Sequence, residues 1–77
     1  MTKKEAEEIA LASLRQRKTR TRSGPVWSRR FEAGERNDSR SGWVVSVPLD
    51  VPEGWEPDEI YVEVFEPNGE INIPKIL

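Results

Sequence analysis

The chain has 77 residues, neither cysteine nor histidine, and a formal net charge of −2. This length predicts one small domain, residues 1–77, with a thin stability margin. The two missing residue types exclude disulfides, Ser-His and Cys-His nucleophile pairs, and zinc sites built on His or Cys, so we expect no catalysis, no metal and no cofactor. The charged first residues and the lack of a long apolar run predict neither a signal peptide nor a membrane span, and the absence of cysteine favours the cytoplasm.

The first predicted element is a helix within residues 3–18. Thr2 and Glu5 have the spacing of a capping box, in which each side chain accepts a hydrogen bond from the other residue's backbone N–H. Acidic residues fill the first turns and basic residues the last, as the helix dipole prefers. The helix should end before the breaker at residues 23–25, Ser-Gly-Pro. Small and apolar residues at helical spacing form a stripe that would face a sheet: Ala6, Ile9, Ala10, Ser13 and Leu14.

Four later segments alternate in polarity and predict strands near residues 25–33, 43–49, 60–66 and 70–74, to within ~2–4 residues. Residues 34–42 have no apolar side chain and predict a mobile hairpin loop. Residues 67–69, Pro-Asn-Gly, predict a tight turn, because proline fixes its φ and Asn-Gly tolerates positive φ.

This order predicts an α+β fold, α-β-β-β-β, in which one N-terminal helix packs on a four-stranded antiparallel meander. The short links favour antiparallel neighbours. The first and last strands become the sheet edges, protected by Arg29 and Arg30 and by Pro74. The expected core joins helix residues to sheet residues: Ile9, Ala10, Leu14, Trp43, Val45, Val47, Ile60, Val62, Val64, Ile71 and Ile73.

The register of the first strand decides the place of two aromatic residues. Trp27, Arg29 and Phe31 share one side of that strand. We predict that this side meets the helix, because a small domain needs its aromatic side chains and burying one is worth roughly 2–3 kcal/mol. In the alternative register, these residues lie on the outer face of the sheet beside Tyr61 or Phe65 and form a binding platform.

The loop of residues 50–59 is acidic and contains two prolines, which predicts a structured loop. Carboxylates can hold a hard cation, but the spacing differs from that of an EF-hand loop and prolines interrupt it. We therefore expect a solvated loop without a metal. Trp55 is predicted to cover the core, with an exposed anchor as the alternative. The acidic residues are Asp50, Glu53, Glu56, Asp58 and Glu59.

Three stretches resemble a known class of domain. Residues 2–14, TKKEAEEIALASL, resemble the opening helix of the small PepSY-like and YrhB-like immunity domains. Residues 60–71, IYVEVFEPNGEI, resemble their closing hairpin, and residues 41–49, SGWVVSVPL, are similar to the Gly-Trp strand of the immunity type. Together the stretches cover about half of the chain. The resemblance implies a helix on an antiparallel sheet and a binding or inhibitory role, and it carries over no catalytic residue.

Charge is divided unevenly along the chain. Residues 1–40 have a balance of +5 and residues 41–77 a balance of −7. A run of basic residues extends from the end of the predicted helix into the first strand. Its simplest interpretation is a solvated connector, whose first positive charges interact favourably with the C-terminal end of the helix dipole. The run has seven positive residues with no acid between them: Arg15, Arg17, Lys18, Arg20, Arg22, Arg29 and Arg30.

Two functional classes compete for this run. In a nucleic-acid-associated protein, the basic residues would contact phosphates while Trp27 and Phe31 stack on bases. This is the less favoured hypothesis, because the protein is acidic overall and the pattern matches no familiar nucleic-acid module. The favoured hypothesis is a protein-binding module, interacting or inhibitory, whose partner is another protein or a second copy in a homodimer. Its candidate binding residues are Arg15, Arg17, Lys18, Arg20, Arg22, Arg29, Arg30, Tyr61 and Phe65.

Overall fold

A computed structural model describes residues 1–35 and 39–74 of the chain. One helix precedes four strands: α1 (Lys3–Gln16), β1 (Trp27–Phe31), β2 (Gly42–Pro48), β3 (Glu59–Phe65) and β4 (Glu70–Asn72). The strands form one antiparallel sheet in the order β1-β2-β3-β4. The predicted α-β-β-β-β fold is confirmed, and every predicted boundary lies within two residues of the observed one.

Local signals at both ends define α1. The Thr2 hydroxyl accepts a hydrogen bond from the Glu5 N–H at 3.1 Å, and the Glu5 carboxylate accepts one from the Thr2 N–H at 2.8 Å, which completes the predicted capping box. At the other end, Lys18 takes a left-handed conformation with φ 57° and its N–H donates to the Arg15 carbonyl at 3.0 Å. This reversal ends the helix at Gln16.

The main core lies between α1 and one face of the sheet. Small residues on the helix let it approach the strands closely, and branched residues of β2 and β3 fill the space beneath. The predicted core is confirmed and gains Ala6, Leu11 and Val26. Its fully buried members are Ala6, Ala10, Leu14, Val45, Val47, Val62 and Val64.

The register of β1 is opposite to the predicted one. Ser28 pairs with Val45 and faces the helix, where its hydroxyl donates to the Glu7 carboxylate at 2.7 Å. Trp27 and Phe31 therefore lie on the other face of the sheet. The predicted burial of Trp27 against the helix is wrong, since 53% of the residue is exposed. Phe31 is buried, but in a second cluster on that other face.

Gly42 explains why Phe31 takes this side. It pairs directly with Phe31 and has no side chain, so the phenyl ring fits beside it. On the helix side, Ser28 and Arg30 bond acidic side chains outside the core. Arg30 extends to Glu66 at 2.8 Å, so its charge is not buried. In the observed register, side chains on both faces of the strand therefore have partners.

The loop between β2 and β3 projects from the end of the sheet. Its ends meet where the Leu49 N–H donates to the Asp58 carbonyl at 2.8 Å, and residues 52–58 are exposed. The prediction that Trp55 covers the core is therefore wrong, because 65% of it is exposed. The predicted mobility of residues 34–42 falls partly on residues 36–38, which lie outside the described residues. Among the residues described, no helix has the length and apolarity needed to cross a membrane.

Candidate binding face of the sheet

The sheet face that points away from α1 is called the outer face below. It has its own small apolar cluster, in which Phe31, Val44 and Phe65 are buried and Tyr61 is partly buried. The Arg40 guanidinium lies 4.2 Å from the centroid of the Phe65 ring and covers it. The end of the outer face nearest Phe65 is therefore closed, and the opposite end is open.

The open end forms a groove between two aromatic side chains. Trp27 on β1 pairs with Ser46 on β2, and Ser46 pairs with Tyr61 on β3, so the two rings stand on either side of a small residue. Two adjoining cavities of about 350 and 300 Å³ share these rings. This surface, called the outer groove, is lined by Trp27, Arg29, Val44, Ser46, Glu59 and Tyr61.

Hydrogen bonds hold the polar side chains of the outer groove in place. The Glu59 carboxylate accepts bonds from the Tyr61 hydroxyl and from the Ser46 hydroxyl, the latter at 2.8 Å. The bond from Tyr61 and, to a smaller extent, the bond from Ser46 lower the pKa of Glu59. The same bond to Glu59 raises the pKa of Tyr61. Near neutral pH, Glu59 is therefore ionised and Tyr61 is a fixed donor, so the groove is shaped before any ligand arrives.

The β1 side and the β3 side of the outer groove differ in charge. Arg29 lies between Trp27 and Phe31 on the same face of β1, and its side chain is 61% exposed. Its pair with Glu35 is long, at 3.8 Å, and both groups are well hydrated. Glu59 supplies the negative charge on the β3 side. The groove thus offers an accessible guanidinium on the β1 side and a bonded carboxylate on the β3 side.

The basic run is separated into parts by the fold. Arg20 and Arg22 flank a short bridge to the end of β2, where the Arg22 N–H donates to the Pro48 carbonyl at 3.0 Å. The other three positive residues before Ser23 lie at the exposed end of α1. Within residues 1–35 and 39–74, none of these five side chains forms an ion pair: Arg15, Arg17, Lys18, Arg20 and Arg22.

Arg30 has a structural position instead. It bonds Glu66 at 2.8 Å and Glu32 at 3.4 Å, and its guanidinium lies 6.0 Å from the centroid of the Trp43 ring. The bond to Glu66 raises its pKa. Ser41 also donates to Glu66, at 2.9 Å. Arg30 therefore ties β1 to the turn after β3 and is set apart from the other candidate binding residues.

The acidic loop lies beside Arg22. A cavity of about 370 Å³ is lined by Arg22, Trp55 and residues of the 51–58 loop. In the part of the chain that the structure describes, no group of three or more acidic side chains converges as metal ligands would.

Part of this site follows from the sequence alone. The sequence placed Tyr61 and Phe65 on the outer face, as observed. Phe65 is 5% exposed and Tyr61 lines the outer groove. Ser46 and Glu59 were missed as groove residues, although their parity with Tyr61 places them on the same face. Only the cross-strand pairing shows that all three meet.

These features define a small α+β domain with a helix on one face of its sheet and an aromatic groove on the other. No family model, no curated protein and no solved structure gives a significant match to the chain.

Proposed function

We propose that this chain is a small cytoplasmic protein-binding module, without catalysis, that contacts its partner protein through the outer groove. The observation that carries the proposal is the exposure of Trp27, 53% of which stays open beside apolar side chains. A domain of this size gains most by burying its aromatic residues, so an exposed tryptophan on a strand is costly. Trp, Tyr and Arg are enriched among residues that dominate binding energy at protein interfaces, and the groove presents one of each.

The fixed geometry of the outer groove supports the proposal. Tyr61 is bonded to Glu59, and Trp27 projects from a paired strand. Side chains that are already ordered lose little conformational entropy on binding, which leaves more of the contact energy as affinity. The resemblance of three stretches to PepSY-like and YrhB-like immunity domains agrees with a binding or inhibitory role and stays part of this proposal.

The size of the open surface favours an extended segment of another protein over a second copy. Neighbouring strands lie about 4.8 Å apart, so the groove is about 10 Å wide from β1 to β3. Arg40 covers the part of the face above Phe65. A stable dimer buries roughly 800 Å² on each partner, far more than this groove offers. A single extended chain, with a few side chains inserted, matches its width.

A nucleic-acid partner is the competing function. Five exposed positive residues without ion pairs among residues 1–35 and 39–74 favour it. The charge of the aromatic face opposes it, because Glu59, Glu63 and Glu70 share that face with Arg29 and Arg40. Phosphates that approached the aromatic rings would meet these carboxylates. Bases could not stack on Trp27 and Tyr61 without that repulsion.

The test is a selection of random dodecapeptides displayed on phage against the immobilised chain. We expect the enriched peptides to lose about 30-fold in affinity for the Trp27→Ala variant, the loss that corresponds to a 2 kcal/mol hot spot. Trp55→Ala is the matched control, since Trp55 is at least as exposed but lines a separate cavity in the 51–58 loop. Thermal melts confirm that both variants fold.

Peptides that bind both variants equally would overturn the proposal, and so would a selection without enrichment. Salt-dependent binding of a 20-nucleotide single strand, abolished in an Arg20→Gln and Arg22→Gln double variant, would establish the competing function instead.

A further inference from the structure

The two edges of the sheet differ in their capacity to accept another strand. β4 has only three residues and is followed by Pro74, which has no N–H to donate. β1 has five residues, and the bridge at Thr21 continues its line along β2. An edge strand directs alternate N–H and C=O groups away from the sheet, where they can pair with an added chain. β1 is the edge suited to addition.

Charge at the β1 edge disfavours a second copy of this chain in the registers that centre on its arginines. A two-fold antiparallel pairing centred on Arg29 would set Arg29 opposite its own copy, and one centred on Arg30 would do the same there. Like charges directly opposite each other destabilise a strand pair. Basic residues lie on both sides of Trp27 along β2: Arg29 on β1, and Arg20 and Arg22 at the bridge to Leu49. They would repel the same residues of a second copy along this edge.

The same charges suit an acidic strand. Among the residues described, Arg29 is held only by the long, exposed pair with Glu35, and Arg20 and Arg22 form no ion pair. Resting on the proposed binding role of the outer groove, we infer that the β1 edge takes up an extended acidic segment of the partner as a fifth strand. In this arrangement, an apolar side chain lies beside Trp27, and a carboxylate two residues away lies beside Arg29.

The alternation of β1 sets the pattern that the partner needs. Trp27 and Arg29 are two residues apart on the outer face, so their neighbours on an added strand are also two residues apart. Arg30, on the helix side, is already bonded to Glu66 and Glu32 and adds no requirement. The partner segment therefore needs an apolar residue and an acidic residue two positions apart on one face.

A palindromic peptide tests the inference in either strand direction. The blocked peptide Ac-TETLTET-NH2 places its leucine beside Trp27 and a glutamate beside Arg29 whether it runs parallel or antiparallel. Ac-TKTLTKT-NH2 is the matched control. We expect the acidic peptide to bind at least about fivefold more tightly at low salt, and to slow the exchange of alternate backbone amides within residues 27–31.

A charge reversal completes the experiment. Arg29→Glu should invert the preference between the two peptides, whereas Lys4→Glu, in the exposed first turn of α1, should leave it unchanged. Equal affinity for both peptides, no binding of the acidic one, or unchanged exchange in β1 would each overturn the inference. The proposed function would survive these results if the selected peptides still depended on Trp27, so the two failures are distinguishable.

Discussion

Phe31 and Phe65 meet edge to face on the outer face, with ring centroids 5.7 Å apart and ring planes at 80°. Both residues pair with Gly42, one from each neighbouring strand. A Cβ atom on Gly42 would collide with the Val64 carbonyl oxygen and lie 3.0 Å from both the Phe31 Cζ and the Phe65 Cα. The close approach of β2 to β3, and with it the place of the Phe31 ring, therefore depends on the missing side chain.

Replacing Gly42 with alanine should lower the free energy of unfolding by about 3 kcal/mol. The added methyl group would press on the backbone of β3 and on the buried Phe31 ring, and overpacking of a core costs about 1–3 kcal/mol. Urea unfolding measures the change. Gly24→Ala is the matched control, because its nearest neighbour would be the Pro48 Cγ at 3.5 Å, an ordinary contact. Equal stability of the two variants would contradict the described packing.

Glu66 should make the fold sensitive to acid. Burial opposes ionisation of its carboxyl, but hydrogen bonds from Ser41, the terminal ammonium and Arg30 outweigh this effect, so its pKa lies below the ordinary value of 4.5. A pKa that is lower in the folded chain means that ionised Glu66 stabilises the fold above about pH 4.5. That contribution is lost as the pH falls below this value and through the folded pKa.

The Glu66→Gln variant tests this sign. At pH 7 it should lose about 1–2 kcal/mol of stability, because hydrogen bonds to a charged group are replaced by neutral ones. The gap to the wild type should narrow as the pH falls below 4.5. Glu70→Gln is the control, since the Glu70 side chain is 65% exposed in its pair with Arg40. A gap that stayed constant from pH 7 to pH 3 would show that Glu66 acts through its shape alone.

The bond between Ser28 and Glu7 should couple the helix to β1. The Ser28 hydroxyl donates to the Glu7 carboxylate at 2.7 Å in a partly buried setting. In a double-mutant cycle with Ser28→Ala and Glu7→Ala, we expect a coupling energy of about 1 kcal/mol, as for a typical intramolecular hydrogen bond. Denaturant unfolding of the four proteins measures it. Strictly additive losses would place Ser28 away from the helix.

The elements most readable from the sequence are those with local signals. The capping box of Thr2 and Glu5 located α1, and the alternation of β2 and β3 located the main core. The side taken by β1 was not readable in this way. Both of its sides mix apolar and polar residues, and the choice depends on Gly42, which is distant in sequence from Phe31 and meets it only across the sheet.

The outer groove likewise has features that one strand determines and features that depend on the pairing of strands. Parity alone placed Tyr61 on the outer face, because its own strand determines it. The bonds of Glu59 to Ser46 and Tyr61 depend on the register between two strands and on the direction of each side chain. Trp55 was misplaced for a related reason. The Leu49–Asp58 backbone bond that closes its loop and turns it away from the core has no local sequence signature.

Trp27 and Phe31 should respond very differently to alanine, although they lie on the same strand and the same face. Phe31 is 1% exposed and packs against Phe65, so Phe31→Ala should cost at least about 3 kcal/mol. Trp27 is 53% exposed beside the outer groove, so Trp27→Ala should cost only about 1–1.5 kcal/mol. Thermal and urea unfolding of both variants measure the difference. A loss for Trp27→Ala as large as that for Phe31→Ala would mean that Trp27 lies in the core, and the outer groove would then lack its principal wall.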